Sequence, residues 1–509
     1  MNSKSRVVNS TRNIVVTVVC QLTTLLFSFV TRTFFIRWLG SEYLGLNGLF
    51  SSILSVLSMA DLGFGAAISF ALYKPIAGND TEKIKSLVQY FKKIYRVIAV
   101  IVAILGAGCI PFLKYIVNSS VSINAVLYVY ALQLANTVVS YLCVYKSTLL
   151  MADQRVYITK IINSVFLLIA NVVQIAVLFV FRSYAGYLIV QLCATVGSNV
   201  AITIISDRVY PFLKEPAAPV DNTLKNDIIS GVKSLFIYRI AGITLTTTDN
   251  ILISMLISTS VVGVYSNYTL ISGSLAGIVA LVFDAVMGSI GSLTAQENIN
   301  NSKKNFETIQ LMCFWIYALI SICLFLLLDD FIRIWIGEKY VLGKIVCLMI
   351  VLSIYIPGIM KVVAAFRDTT GLYAETKYVF VVASAINLVL SVVLGKVIGL
   401  VGILAATSIS RLLTSVPYEP YILYKLYFKQ QVRSYYISQV KYLVILIVSA
   451  SIAYLFSWFF TVDSALIFIV KASVIFVVTN ICFLIAFRKN PEYKDILSKI
   501  KFVLQSHNM

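Results

Sequence analysis

Runs of twenty or more apolar residues, separated by short polar and basic segments, recur along the whole 509-residue chain. An apolar run of about 20 residues crosses the roughly 30 Å hydrocarbon core of a bilayer as one helix. Seven such runs fall at 14–38, 44–73, 94–117, 121–145, 157–181, 184–206 and 228–257. Seven more fall at 261–294, 307–328, 344–366, 378–396, 398–424, 438–461 and 464–487. The expected fold is therefore all-α, a polytopic membrane protein with about 14 transmembrane helices. The first run exceeds a signal-peptide core and has no small-residue cleavage pattern, so it reads as a retained helix.

Polar residues inside these runs are not scattered. The first helix carries Gln21, Thr24, Ser28 and Arg32, three or four residues apart and so on one face. The second aligns Asn47, Ser51, Ser55, Ser58, Gly65 and Ser69, with Asp61 bordering the stripe. The seventh aligns Arg239, Gly242, Thr246 and Asp249, and the eighth Ser266, Thr269, Gly273, Gly277 and Asp284. Small residues alone are explained by close helix packing. Packing gives no reason to put Arg32, Arg239 and Asp249 on the same stripes, because an arginine at the centre of a lipid-facing helix costs about 2.5 to 3.5 kcal/mol on insertion scales. Arg32 is expected to face a solvated central cavity, with snorkelling to the outer surface as the alternative. Arg411, mid-helix in the twelfth run, is a further cavity candidate, against an ion pair with Glu419. Lys471 lies inside the last apolar run, outside any repeat, and Asp329 and Asp330 read as a helix end beside the interfacial Trp335. An interior with several arginines suits an anion, since guanidinium groups stay charged and match phosphate oxygens bidentately.

The stretch 207–227 holds three of the nine prolines with mixed charge and reads as a cytoplasmic linker. Around it the halves echo each other. Gly45 in "LGSEYLGLN" falls on Gly263 in "ISTSVVGVY", and Ala152, Asp153 and Arg155 fall on Ala374, Glu375 and Lys377, at similar offsets. Two like-oriented repeats with a site between them are a transporter architecture. The expected organisation is a six-helix lobe at 1–206, the linker, a second six-helix lobe at 228–424, a terminal helix pair at 425–487 and a cytoplasmic tail at 488–509. The terminal pair, apolar nearly all round, is expected to guide a lipid tail along the membrane side.

Composition narrows the class further. With 59% hydrophobic and 12% charged residues and a mean hydropathy of +0.90, no soluble domain is left over. Thirty of the 41 basic residues fall in segments on one side and seven on the other, so both termini are placed in the cytoplasm and the chain in the cell membrane. The net charge of +19 is then a topology and leaflet signal, and nucleic acid is not an expected partner. Eight single cysteines have no metal or redox spacing, and the one histidine, His507, lies in the polar tail, so no catalytic constellation and no cofactor are expected. No predicted loop is large enough for the catalytic domain of a membrane glycosyltransferase or polymerase.

The amphiphilic first helix leading into "FFIRWLGSEYLGLNGLFSSILSVLSMADLGFGAAI", the counterpart "TDNILISMLISTSVVGVYSNY", and the loops "TLLMADQRVY" and "DTTGLYAETKYV" resemble the polysaccharide-transporter branch of the multidrug/oligosaccharidyl-lipid/polysaccharide (MOP) flippase superfamily, the Wzx-type flippases. The resemblance covers essentially the whole length. It implies two six-helix lobes, a terminal pair and a cationic cavity that accepts an isoprenoid-diphosphate-linked oligosaccharide, moved from the inner to the outer leaflet by alternating access. On that reading Arg32, Arg239, Arg411, Asp249 and Asp61 are the substrate-binding candidates. Asp61, Asp249 and Asp284 are candidates for coupling to H⁺ or Na⁺. A polysaccharide polymerase and glycosyltransferases are the candidate protein partners. A lipid II flippase and an ion-coupled exporter of small molecules remain as alternatives of the same fold.

Overall fold

A computed structural model describes residues 3–58, 64–296 and 298–506. Among the described residues the secondary structure is helical, without a strand. The helices are α1 (Ser3–Leu57), α2 (Phe64–Ala77), α3 (Thr81–Cys109), α4 (Leu113–Ile116), α5 (Ile123–Tyr141), α6 (Val144–Ala152), α7 (Val156–Phe181), α8 (Tyr184–Val209) and α9 (Asn222–Leu256). After them come α10 (Thr259–Gln296), α11 (Ile299–Ile336), α12 (Lys344–Ile359), α13 (Lys361–Thr369), α14 (Tyr373–Leu413), α15 (Ser415–Ile422), α16 (Arg433–Ser457), α17 (Ala465–Phe487) and α18 (Pro491–Ser506). Ten helical stretches of the described residues are long and apolar enough to cross a membrane.

Two of these stretches are broken within, where one apolar run meets the next. At 1.5 Å per residue, the 55 residues of α1 would run far past a single bilayer core. Gly40, at φ 80°, breaks the helix there, between the first two apolar runs. In α14 the break falls at Ile398 and Gly399, where the eleventh run gives way to the twelfth. Both breaks answer to the same cause: a glycine admits the left-handed backbone that ends one helix and starts the next.

The chain forms two compact units, Met1–Gly263 and Val264–Met509, so the linker 207–227 lies within the first. That unit packs α2, α3, α6 and the ends of α7 and α8 around Ile68, Leu72, Phe91, Tyr95 and Leu149. Buried cations in it are matched locally: Lys146 meets Asp207 at 2.6 Å, and Lys85 meets Glu82 at 2.7 Å and Glu215 at 2.8 Å. Asp153 accepts from Tyr210 at 2.6 Å and pairs with Arg155 at 2.9 Å.

The two glycines that the internal echo places in register meet in space. A Cβ on Gly45 would lie 1.8 Å from the Thr259 carbonyl oxygen. One on Gly263 would lie 1.9 Å from the Ser41 carbonyl oxygen and 2.9 Å from the Gly45 nitrogen. Hydroxyl contacts flank the approach, Ser41 with Ser260 and Ser254 with Thr259, each at 2.8 Å.

In the second unit α11 is the central column. Its buried face, with Phe306, Phe314 and Tyr317, packs with Phe366, Tyr424, Phe428, Tyr442 and Phe483. The terminal pair α16 and α17 is held to this column by aromatic stacking of Phe314 on Tyr442, with centroids 4.6 Å apart, and by the Trp315 indole donating to Asn480 at 3.0 Å. Outward, the pair presents Val440, Val444, Ile447, Leu466 and Ile469, all exposed, as a face suited to lipid. The pair is not apolar all round: Lys471, Ile475, Thr479 and Phe483, four apart on α17, form a buried stripe. α18 folds back along α11, where Asp495 accepts from Thr308 at 3.2 Å and pairs with Lys499 at 2.8 Å.

Candidate functional site

Four helices of the first unit turn polar stripes toward one another. On α8 the stripe is Tyr187, Gln191, Thr195, Ser198 and Asn199, at helical spacing. On α7 it is Asn163, Asn171 and Gln174, and on α5 it is Gln133, Asn136, Thr137 and Ser140. Ser140, the α7 and α8 stripes and Ser28, Asn47 and Ser51 of α1 line a cavity of about 560 Å³, and Gln133, Asn136 and Thr137 line a smaller one of about 220 Å³ that shares Asn47, Ser51 and Gln191 with it. Thirteen of the nineteen residues lining the larger cavity are polar and none is ionised, so its chemistry is that of amides and hydroxyls.

The walls are fixed by their own hydrogen bonds. Gln133 donates from Nε2 to the Tyr184 hydroxyl at 2.8 Å and to Asn47 Oδ1 at 3.0 Å. Thr195 donates to Asn136 at 2.7 Å, Thr31 to Asn171 Oδ1 at 2.9 Å, and Asn199 to the Val139 carbonyl at 2.9 Å. One donor stands apart. Asn171 is 7% exposed, and its Nδ2 has no hydrogen-bond partner in the protein. The cavity runs from exposed residues at Asn163, Ser140 and Ser51 to a buried end at Ala170, Asn171 and Gln174.

Arg32 lies one turn from Ser28 on α1, partly buried, with its charge felt by Tyr187 and Tyr184. Phe35 packs edge-on against both tyrosines, with centroids 5.1 and 5.4 Å away. The cation therefore stands at an aromatic corner where Tyr187 also lines the cavity. Asp249, on α9, is partly buried and engaged by its surroundings, and its neighbour Asn250 donates to Ser52 of α1 at 2.9 Å. Asp61 lies outside the described residues, as do the side chains of Arg239 and Asp284. Among the described residues, no group of three or more His, Cys, Asp or Glu side chains could hold a metal ion.

Arg411 belongs to the second unit, and its expected partner has another use. Glu419 accepts from Arg367 Nη1 at 2.6 Å, with both side chains buried, and Arg411 acts on Glu419 electrostatically as well. Arg367, counted as a cytoplasmic topology charge in the sequence, is fully buried and also bonds Asp368 at 2.8 Å. Asp330 is not a simple interfacial helix end either: Lys471 reaches it at 2.8 Å and Arg333 at 2.9 Å. Asp329 beside it accepts from the Tyr268 hydroxyl at 2.8 Å. The cavity residues of α5, α7 and α8 were not singled out from the sequence, although their three- and four-residue spacing is the signal that found the α1 stripe; they lack the charges that drew attention elsewhere.

Ten apolar spans and a walled polar cavity within one unit define a polytopic membrane protein of the transporter type. The chain belongs to the polysaccharide biosynthesis protein family, whose profile matches residues 10–288, more than half its length. Its fold is shared with the lipid II flippase MurJ in an inward closed conformation, at TM-score 0.71 and 13% identity over 93% of this chain and 99% of that one. A multidrug resistance MATE family transporter of the MOP superfamily, inward-facing, matches at TM-score 0.60 and 10% identity over 79% of this chain and 96% of that one. The MATE transporter ClbM in complex with Rb⁺ matches at TM-score 0.52 and 14% identity over 80% and 94%. No curated protein sequence matches the chain. The resemblance to a polysaccharide family, read first from the sequence, is borne out by that match, and the fold is one that the MOP-superfamily structures share.

Proposed function

We propose that the protein flips an isoprenoid-diphosphate-linked oligosaccharide from the inner to the outer leaflet of the cell membrane by alternating access, in surface polysaccharide biosynthesis. The observation that carries this reading is the cavity of neutral amides and hydroxyls bordered by Arg32, inside a family defined by polysaccharide biosynthesis. A saccharide needs many paired donors and acceptors, and a diphosphate needs a guanidinium. The polyisoprenoid tail needs neither. Each of its methylenes favours an apolar setting by about 0.8 kcal/mol, and the exposed faces of α16 and α17 offer one. On the charge asymmetry, the exposed residues Asn163 and Ser140 would face the cytoplasm, where such a lipid would be loaded. Asp249 is the described candidate for coupling to H⁺ or Na⁺, and polymerase and glycosyltransferase partners would act before and after the step.

The fold shared with MurJ over 93% of the chain favours lipid II as the second reading. One assay separates the two. Proteoliposomes carrying the full chain receive either a fluorescent undecaprenyl-diphosphate oligosaccharide or fluorescent lipid II in one leaflet, and dithionite quenching reports its arrival in the other. Transport of the oligosaccharide lipid is expected, with loss in Arg32→Ala and partial retention in Arg32→Lys, which keeps the charge without the bidentate geometry. Movement of lipid II alone would establish the second reading, and movement of neither would end both.

A further inference from the structure

We propose that the cavity of the first unit is a binding subsite for uncharged sugar residues, separate from the group that holds the diphosphate. The inference rests on the flippase reading and names the class of sugar this site takes. Three features carry it. First, none of the nineteen lining residues of the larger cavity, nor the eleven of the smaller, is acidic or basic. A uronic acid or a phosphate entering there would leave water without an opposing charge to receive it. A drug-like cation would meet no carboxylate. Second, the lining is built from groups that both donate and accept, the pattern that a sugar hydroxyl or an N-acetyl amide also presents. Tyr187 adds a ring at the same wall. Third, Asn171 lines the buried end with its Oδ1 held by Thr31 and an Nδ2 that has no partner in the protein. A donor buried in that state is costly, and a small turn of the amide toward an acceptor oxygen on the ligand would relieve it. The larger cavity's volume, about 560 Å³, is that of a small-molecule site. Arg32, at the aromatic corner, sets a cation outside the neutral lining, so charge and hydroxyls are sorted to different ends of one lipid-linked molecule.

The test uses purified full-length protein in nanodiscs and free sugars without lipid, so that it reads the subsite alone. Saturation-transfer NMR is run with chitotriose, a neutral N-acetylated trisaccharide, and with a trisaccharide of uronic acid. Saturable binding of chitotriose is expected, at least tenfold tighter than the uronic acid. Asn171→Leu and Gln191→Leu should each weaken it about tenfold or more while thermal melting stays near that of the parent. Gln191 is only partly buried, so its variant folds even if Asn171→Leu does not. Absence of saturable chitotriose binding overturns the proposal, as does equal binding of the uronic acid, or chitotriose binding that both variants retain. Either failure leaves leaflet-to-leaflet transport of the oligosaccharide lipid to be read independently in proteoliposomes. Failure of that transport alongside chitotriose binding would remove the flippase reading and leave a sugar site.

Discussion

The cavity walls of the first unit and the ion-paired interior of the second bury polar groups in opposite ways. In Met1–Gly263 the buried stripes of α5, α7 and α8 are neutral and surround open space; in Val264–Met509 the buried polar groups include full charges closed into ion pairs, among them Arg367 with Glu419 and Lys471 with Asp330. The difference is one of what happens when a member is lost. A neutral amide beside a cavity can turn to water, so its removal costs about 1 kcal/mol. A charge sealed from water has no such recourse, and breaking its pair costs about 3 to 5 kcal/mol. The cavity walls thus keep their chemistry where it can be exchanged with a ligand, whereas the sealed pairs of the second unit, like Lys146 with Asp207 in the first, use charge to fix helices in place.

That contrast can be broken most sharply at Glu419. Glu419→Leu removes the buried carboxylate that faces the fully buried Arg367 while the exposed Asp368 remains, and a loss of about 3 to 5 kcal/mol is expected, seen as a large fall in melting temperature in detergent. Lys471→Met should cost less, about 2 to 3 kcal/mol, because Arg333 still opposes Asp330. The double variant Lys471→Met with Asp330→Leu should regain most of that loss, since the packed apolar pair leaves no charge behind; a double variant as unstable as the single would refute the account. In the first unit Thr195→Val removes only a 2.7 Å bond to Asn136 at the cavity wall, and about 1 kcal/mol is expected. A cost there equal to that at Glu419 would erase the comparison.

The smallest effect concerns pH. The hydrogen bond from Lys499 holds the Asp495 carboxyl below the usual aspartate range. Because its native value is depressed, the contribution of Asp495 to holding α18 is full above about pH 4 and is lost as the pH falls through the native value. Amide hydrogen-exchange protection along Pro491–Ser506, taken relative to the slower intrinsic exchange at low pH, should therefore fall at pH 3 compared with pH 6, with the protection of α11 unchanged.

Much of the fold was legible in the sequence because the bilayer makes helices obey length and hydropathy. The boundary between the first and second runs falls at Gly40, and that between the eleventh and twelfth at Gly399. The stripe of Ser28, Asn47 and Ser51 was legible too, and it does line the cavity. The other three walls obeyed the same spacing but carried no charge to mark them. Ion pairs were illegible for a different reason. Lys471 lies 141 residues from Asp330 and Arg367 52 from Glu419, and nothing in a linear pattern joins such partners. Repeat equivalence does not supply the missing information either. Asp153 is buried under Tyr210, whereas Glu375, at the echoed position, is exposed.

The approach of Gly45 and Gly263 has a consequence for how this sequence can vary. At most positions of a membrane helix a replacement of similar size is available. Here every one of the other nineteen residues brings a Cβ, and what it would strike is backbone, which cannot swing aside as a side chain does. Neither position has a conservative substitution, and neither can be rescued by trimming the residue opposite. A saturation library scored for surface-polysaccharide export should show these two sites with a single tolerated letter, in a protein where most lipid-facing sites accept several.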